Sequence, residues 1–202
     1  MKIIQKIFPA PLYNFLEYTR EVQVEQTILD CGAGGNFPKL ALFAIHGFET
    51  YGIEISKESI KNAENFAKKN DFNLNITKGD MRKLPYENEE FGFVYTYNTI
   101  FHMNKEEIAK ALNEMFRVLK KQGLIYVNLL SIDDSRYGIG KEISSGTFMD
   151  EENGEKFSHT YFEYKEGDRY FKDYEIIYKQ IRREYLSKWD STRGMIDYII
   201  RK

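Results

Sequence analysis

Alternating strand-like and helix-like segments predict an α/β fold, doubly wound around a mostly parallel sheet. Three observations carry this reading. Thr27, Ile28 and Leu29 form a short apolar run stopped by the glycines of DCGAGGN, as expected of a strand buried on both faces. From there to residue 130, apolar residues switch between strand and helix spacing with short connections. Beyond 130 the alternation breaks, and the chain ends in two strand-like runs, 174–186 and 194–200. The SKWDSTR joint between these runs is too short for a crossover helix, so they pair as an antiparallel C-terminal hairpin.

Taken in order, a short helix is expected from Pro9 to about Arg20, with Pro9 and Pro11 at its start. After the first strand, Phe37, Leu40, Ala41, Ala44 and Ile45 recur at helical spacing, and His46-Gly47 stops them. ETYGIEIS reads as the second strand. Ser56 is a good N-cap for a helix with Ile60, Ala63, Phe66 and Ala67 on one face and Lys68 and Lys69 in its last turn. NLNITKGD gives a short third strand, and residues 91–97 a fourth, rich in aromatic and β-branched side chains. Asn104 with Glu107 resembles a capping box, opening a helix whose stripe is Ile108, Ala111, Leu112, Met115, Phe116 and Leu119. Gly123 is expected to end it, before a fifth strand, LIYVNLL. Residues 131–158 are polar and glycine-containing and read as an excursion, and a helix is expected within 159–171.

Composition narrows the function classes. A formal net charge of −2 over 202 residues gives no sign of a nucleic-acid partner bound through phosphates. A 42% hydrophobic content suits a globular domain and not a disordered chain. The longest apolar stretch, 40–45, is far short of the ~20 residues that span a bilayer. MKIIQKIFPAP has prolines where a signal peptide would continue its apolar stretch. Cys31 is the only cysteine, so no internal disulfide forms. A cytoplasmic protein with no membrane partner and no metal is expected.

Three chemical sites fall at the carboxyl ends of successive strands, where open α/β sheets bind ligands. Gly32, Gly34 and Gly35 let the backbone turn sharply and let a ligand approach the main chain. Glu54 ends the second strand, where a carboxylate accepts two ribose hydroxyls. Asp80 and Met81 follow the third, placed to accept from an adenine amino group and to lie on the ring. Each is weak alone; together they point to an adenosine-type ligand.

LDCGAGGN, YGIEIS, KGDMRKLPY and FGFVYTYNTIFHM together resemble the successive motifs of class I S-adenosylmethionine-dependent methyltransferases, over roughly residues 27–130. The similarity is greatest to the broad small-molecule group of that family. It implies a Rossmann-like, seven-stranded sheet, with which the terminal hairpin agrees. One departure is Asn36, where the family's loop usually has a third glycine. The resemblance implies S-adenosylmethionine as cofactor, with Gly32 and Gly34 under its methionine part and Asp30 binding its amino group directly or through water. It implies that Glu54 holds the ribose, Ile55 packs on adenine, and Asp80 meets the adenine amino group beside Met81. Asn98 would lie near the methyl group.

The acceptor is expected to be a small molecule, and its identity is not readable. His102 and Asn98 are the catalytic candidates. Cys31, inside the glycine loop and without a preceding proline, reads as a buried thiol and not a nucleophile. His46 reads as a helix-end residue, His159 as a surface residue, and Lys179, Arg182, Arg183 and Lys188 as the solvated face of a late strand. Residues 1–202 are expected to be one domain. Within it, 1–26 form a helix and lid, 27–130 the cofactor core, 131–172 an excursion capping the substrate, and 173–202 the hairpin. The competing readings are a nicotinamide-dependent oxidoreductase, which shares the glycines and the ribose acid, and a non-catalytic adenosylmethionine-binding protein.

Overall fold

The computed structural model describes residues 7–152 and 154–202; the first six residues of the expected lid lie outside that set. Helix α1 (Ala10–Arg20) precedes β1 (Thr27–Cys31), followed by α2 (Leu40–Ile45), β2 (Glu49–Glu54), α3 (Lys57–Asn70), β3 (Ile76–Lys78), β4 (Phe91–Thr96), α4 (Lys105–Val118) and β5 (Leu119–Ser131). Then come β6 (Lys141–Ser144), β7 (Thr147–Glu152), β8 (Glu155–Phe162), β9 (Glu175–Leu186) and β10 (Ser191–Arg201). The main sheet runs β3-β2-β1-β4-β5-β10-β9. All neighbours among β1 to β5 are parallel, and β10 lies antiparallel between β5 and β9. This is the doubly wound, mostly parallel sheet with a terminal antiparallel hairpin.

The local signals act as expected at two helix starts. Ser56 Oγ accepts from Ser59 N at 3.2 Å, and Asn104 and Glu107 form a reciprocal capping box. Helices α1, α2 and α3 cover one face of the sheet, burying Leu12, Phe15, Leu16, Leu40 and Phe43 against Phe93, Tyr95 and Tyr126. Helix α4 covers the other, with Ile108, Leu112 and Met115 against Val94, Ile125 and Val127. The described part of the N-terminal segment thus lies against the sheet. Phe15 meets the rings of Phe43, Tyr95 and Tyr126 at 6.0, 6.4 and 5.7 Å.

Four expectations change. Gly123 does not stop α4. The helix ends at Val118, β5 begins at once, and the register jumps from Phe91↔Leu119 to Phe93↔Leu124. Gly123 lies inside that bulge, where a Cβ would stand 2.5 Å from the Gly92 carbonyl. The helix expected within 159–171 is mostly absent: β8 continues to Phe162, and only a 3₁₀ turn, Glu166–Phe171, follows. The excursion is itself a three-stranded meander, β6-β7-β8. Lastly, Lys179 and Arg182 do not form a solvated face. Lys179 Nζ is 2.6 Å from Asp168, and Arg182 Nε is 3.0 Å from the buried Asp197.

The meander joins the sheet at one place. Strand β4 leaves β5 at Thr96↔Val127, while β10 holds the opposite edge as far as Leu130. Strand β8 takes the vacated edge, pairing parallel through Leu130↔Tyr161 and Ser131↔Phe162. It thereby stands directly above the carboxyl end of β4. No helix among the described residues is long and apolar enough to cross a membrane.

Candidate active site

The strand order reverses at β1, between β2 and β4, and a cleft opens there at the carboxyl ends of the strands. Its cavity is about 340 Å³, with walls that include Gly32, Glu54, Ile55, Asp80 and Met81. The glycine turn is held down by Gly32 N and Ala33 N, which donate to Ile53 O at 2.9 and 3.1 Å. Gly32 has φ +113°, and a Cβ on it would stand 2.4 Å from Thr99 Oγ1. Only glycine meets both requirements. A Cβ on Gly34 would stand 2.5 Å from Ser59 Cβ and 2.6 Å from Glu54 Oε2.

That second approach orients Glu54. Its Oε2 accepts from Gly34 N at 3.1 Å and its Oε1 from Ser56 N at 2.9 Å. The carboxylate is thus set at the cleft wall by backbone donors from two loops. Ile55 beside it is 62% exposed, an apolar side chain left open toward the cavity. Across the cleft, Asp80 grips Arg82: Nε lies 3.0 Å from both Asp80 oxygens, and a terminal nitrogen 2.6 Å from Oδ2. The guanidinium holds the Asp80 carboxyl below the usual carboxylate range. Arg82 also reaches Glu107, the capping-box acid of α4, and so ties the Asp80 wall to that helix.

Four expected cofactor residues do not line this cleft: Gly34 and Gly35, further along the turn, and Asp30 and Asn98. Asp30 is buried below the turn and does not line the cleft; Tyr95 Oη donates to its Oδ2 at 2.6 Å. Burial pushes its pKa up to about 7, against the lowering effect of that hydrogen bond. Asn98 lines a second cleft. It has φ +55°, donates its N–H to Asn128 Oδ1 at 2.9 Å, and accepts from Asn128 Nδ2 at 2.6 Å. Cys31 is buried, and burial followed by the neighbouring Asp30 pushes its thiol well above the usual range, as suits an inert core residue.

The second cleft, about 220 Å³, lies between the end of β4, the meander and the β9-β10 turn. His102 lines both clefts, at their shared rim. Strand β8 pins it: His102 Nδ1 is 3.2 Å from Ser158 O, and Ser158 Oγ donates to His102 O at 2.8 Å. A carbonyl can only accept, so Nδ1 carries the proton and Nε2 presents a lone pair. The ring is exposed on one side and crowded by Phe101 and His159 on the other, and this desolvation lowers its pKa. His159 is not a surface residue; it lines the same cleft with its ring 4.8 Å from that of His102. Burial, then the charges of His102, Arg136 and Arg193, lower its pKa to about 4. His46 is the C-cap of α2, remote from both clefts.

Residues 29–127 match the family model described as a methyltransferase domain. The chain carries a class I S-adenosylmethionine-dependent methyltransferase domain. Its fold is that of a methyltransferase structure from Methanosarcina mazei, with TM-score 0.79 and 22% identity over 97% of this chain and 99% of that one. Among curated relatives, the sterol 24-C-methyltransferase of Schizosaccharomyces pombe is 27% identical over 136 residues, 65% of this chain and 35% of that protein. Norajmaline N-methyltransferase of Rauvolfia serpentina is 33% identical over 92 residues, 45% of this chain and 30% of that protein. The chain thus spans about a third of the length of these curated relatives.

The cofactor of this methyltransferase domain is S-adenosylmethionine, and the first cleft suits it. Glu54 is oriented at the wall, Ile55 and Met81 supply apolar surface, and Asp80 stands on the opposite side. Sequence reasoning missed Arg82, Thr99 and Glu107 in this wall. Arg82 lies within KGDMRKLPY and was visible as a charge two residues beyond Asp80.

Proposed function

We propose that the protein transfers the methyl group of S-adenosylmethionine to a small-molecule acceptor held in the second cleft. The observation that carries this reading is the shared rim: His102 lines both the cofactor cleft and its neighbour. The cofactor, when bound, supplies a sulfonium-activated methyl group for in-line displacement. The protein's work is then alignment and exclusion of water, and alignment alone is worth on the order of 7–11 kcal/mol. Glu54 would hold the ribose diol, Ile55 and Met81 the adenine faces, and Asp80 the adenine amino group. The Gly32 turn would pass under the methionine part. Asp30 would act from beneath, positioning the turn through β1 instead of touching the ligand. His102 Nε2, unprotonated and at the rim, is placed to receive the proton of an O–H or N–H acceptor. The meander supplies the acceptor-side wall through His159 and Tyr161. A reducing, cytoplasmic setting is supported by the single unpaired cysteine.

Calorimetric titration with S-adenosylmethionine, S-adenosylhomocysteine and a nicotinamide dinucleotide tests the cofactor half. Binding of the first two alone is expected; tight dinucleotide binding without them overturns it. Mass-spectrometric screening of metabolite pools for a gain of one methyl group tests the transfer. His102→Gln, which keeps a hydrogen-bonding side chain but cannot take the proton, should lower kcat by roughly 100-fold or more.

A further inference from the structure

The charges around the second cleft are unequal in their commitments. Asp134, its one lining carboxylate, is buried and already takes two backbone donors: Arg136 N at 2.9 Å on Oδ1 and Gly194 N at 3.0 Å on Oδ2. Asp150, nearby on β7, is 2.6 Å from the Arg136 guanidinium. Arg193, on β10, is exposed and lines the cleft, and its side chain has no hydrogen bond or ion pair among the described residues. Its cross-strand neighbour Glu184 is engaged by Arg182, which also holds Asp197. The cleft therefore offers an incoming molecule an uncommitted guanidinium and no uncommitted carboxylate.

One side of the wall is aromatic, beside Leu130, Leu186 and small polar residues. The rings of Phe101 and His159 lie 5.9 Å apart, and those of His159 and Tyr161 6.3 Å apart. His159 is lowered partly by positive neighbours, Arg193 among them, which places that guanidinium within electrostatic reach of the rings. A guanidinium fork matches a carboxylate or phosphate bidentately, and a ring face suits a planar body.

We propose that the second cleft recognises a small planar anion, its carboxylate or phosphate held by Arg193 and its ring laid on the Phe101, His159 and Tyr161 surface. The word acceptor for this ligand rests on the methyl-transfer reading; the anion selectivity does not. A cationic ligand would meet the Arg193 guanidinium, while the one lining carboxylate, Asp134, is buried and already engaged by two backbone donors.

Four probes of similar shape separate the possibilities: 4-hydroxybenzoate, phenyl phosphate, 4-hydroxybenzamide and tyramine. Each is titrated calorimetrically into the full chain, with and without saturating S-adenosylhomocysteine. At least one anionic probe should bind about tenfold or more tighter than the amide, and tyramine should bind weakest. The tighter of the two anions names the group that Arg193 holds. Arg193→Gln should erase the preference and Arg193→Lys restore part of it, with unchanged melting temperature and S-adenosylhomocysteine affinity. The proposal is overturned if the amide or tyramine matches the anions, if Arg193→Gln keeps the preference, or if neither anionic probe binds. Failure of S-adenosylhomocysteine to bind would instead strike the methyltransferase reading and leave the anion series to stand or fall by itself.

Discussion

The two clefts share His102 and are built by different means. The first is assembled from four consecutive strand ends, and its key distances lie within one loop or between neighbouring loops: Gly34 N to Glu54, Ser56 N to Glu54, Arg82 to Asp80. The second draws on segments far apart in the chain, joining Asn98, the 134–136 turn, β8 and the start of β10. Local chain geometry therefore fixes the first, while long-range pairing of β8 and β10 with β5 fixes the second. A site of the first kind tolerates little change within its loops. A site of the second kind responds to whatever shifts the strands that carry it.

The largest effect expected is on the support beneath the first cleft. Phe15 backs Tyr95, which holds Asp30, so Phe15→Ala should cost about 3–5 kcal/mol of stability. Urea denaturation measures it. A variant of unchanged stability would mean that α1 is a cover and not a buttress. Next, Gly34→Val puts side-chain atoms where Ser59 and Glu54 stand and should weaken S-adenosylmethionine binding by more than about 100-fold, while anion binding in the second cleft survives. Parallel loss of both would show that the clefts are one cooperative unit. Glu54→Gln removes a charge-assisted pair of bonds to the ribose and should cost about 1.5–3 kcal/mol of cofactor affinity by calorimetry. It should leave the fold intact, because an amide oxygen still accepts one backbone donor.

The last effect is in pH dependence, where Asp30 beneath the first cleft and His159 in the second oppose each other. Asp30 holds its proton to about pH 7 in the folded chain and releases it near 3.8 when unfolded. The folded state binds the extra proton between these values, so this residue makes stability fall as pH rises through the window. His159 titrates near pH 4 when folded and near 6.5 when unfolded, so it makes stability rise with pH over that span. Asp30→Asn should leave the rising limb and His159→Gln the falling one. The slope from Asp30 is at most about 1.4 kcal/mol per pH unit, with a smaller one from the partly exposed His159. Denaturation midpoints followed across the range would show identical profiles only if neither residue titrates as described.

Much of the first cleft was legible because its determinants are local. A glycine turn after a buried strand, an acid ending the next strand and an acid after the third each occupy a few consecutive residues. The buried place of Asp30 was not legible, because residues alternate sides along a strand and a sequence does not show that Tyr95 waits on the buried side to bind it. The second cleft was poorly legible because the first half of β8 falls in the polar excursion and only its second half in the 159–171 run expected to hold a helix. Its alternation was nevertheless present: Phe157, His159 and Tyr161 recur at a spacing of two, and their rings meet edge to face in series at 5.3 and 6.3 Å. Arg193 carried no signal at all, since one arginine in a C-terminal strand is identifiable as a ligand-facing charge only when its neighbours' commitments are known.

The two-residue ladder that fastens β8 to β5 bears on how such a chain diversifies. Between residues 131 and 175 the polypeptide takes the place of a crossover helix, attached through Leu130↔Tyr161 and Ser131↔Phe162 and seated by the buried rings of Phe162 and Phe171. Insertions or recoding elsewhere in that segment leave the β1-β2 and β1-β4 registers untouched. Ligand preference can then drift by exchange of a cassette retaining those two rings, with the nucleoside-binding half inherited unchanged.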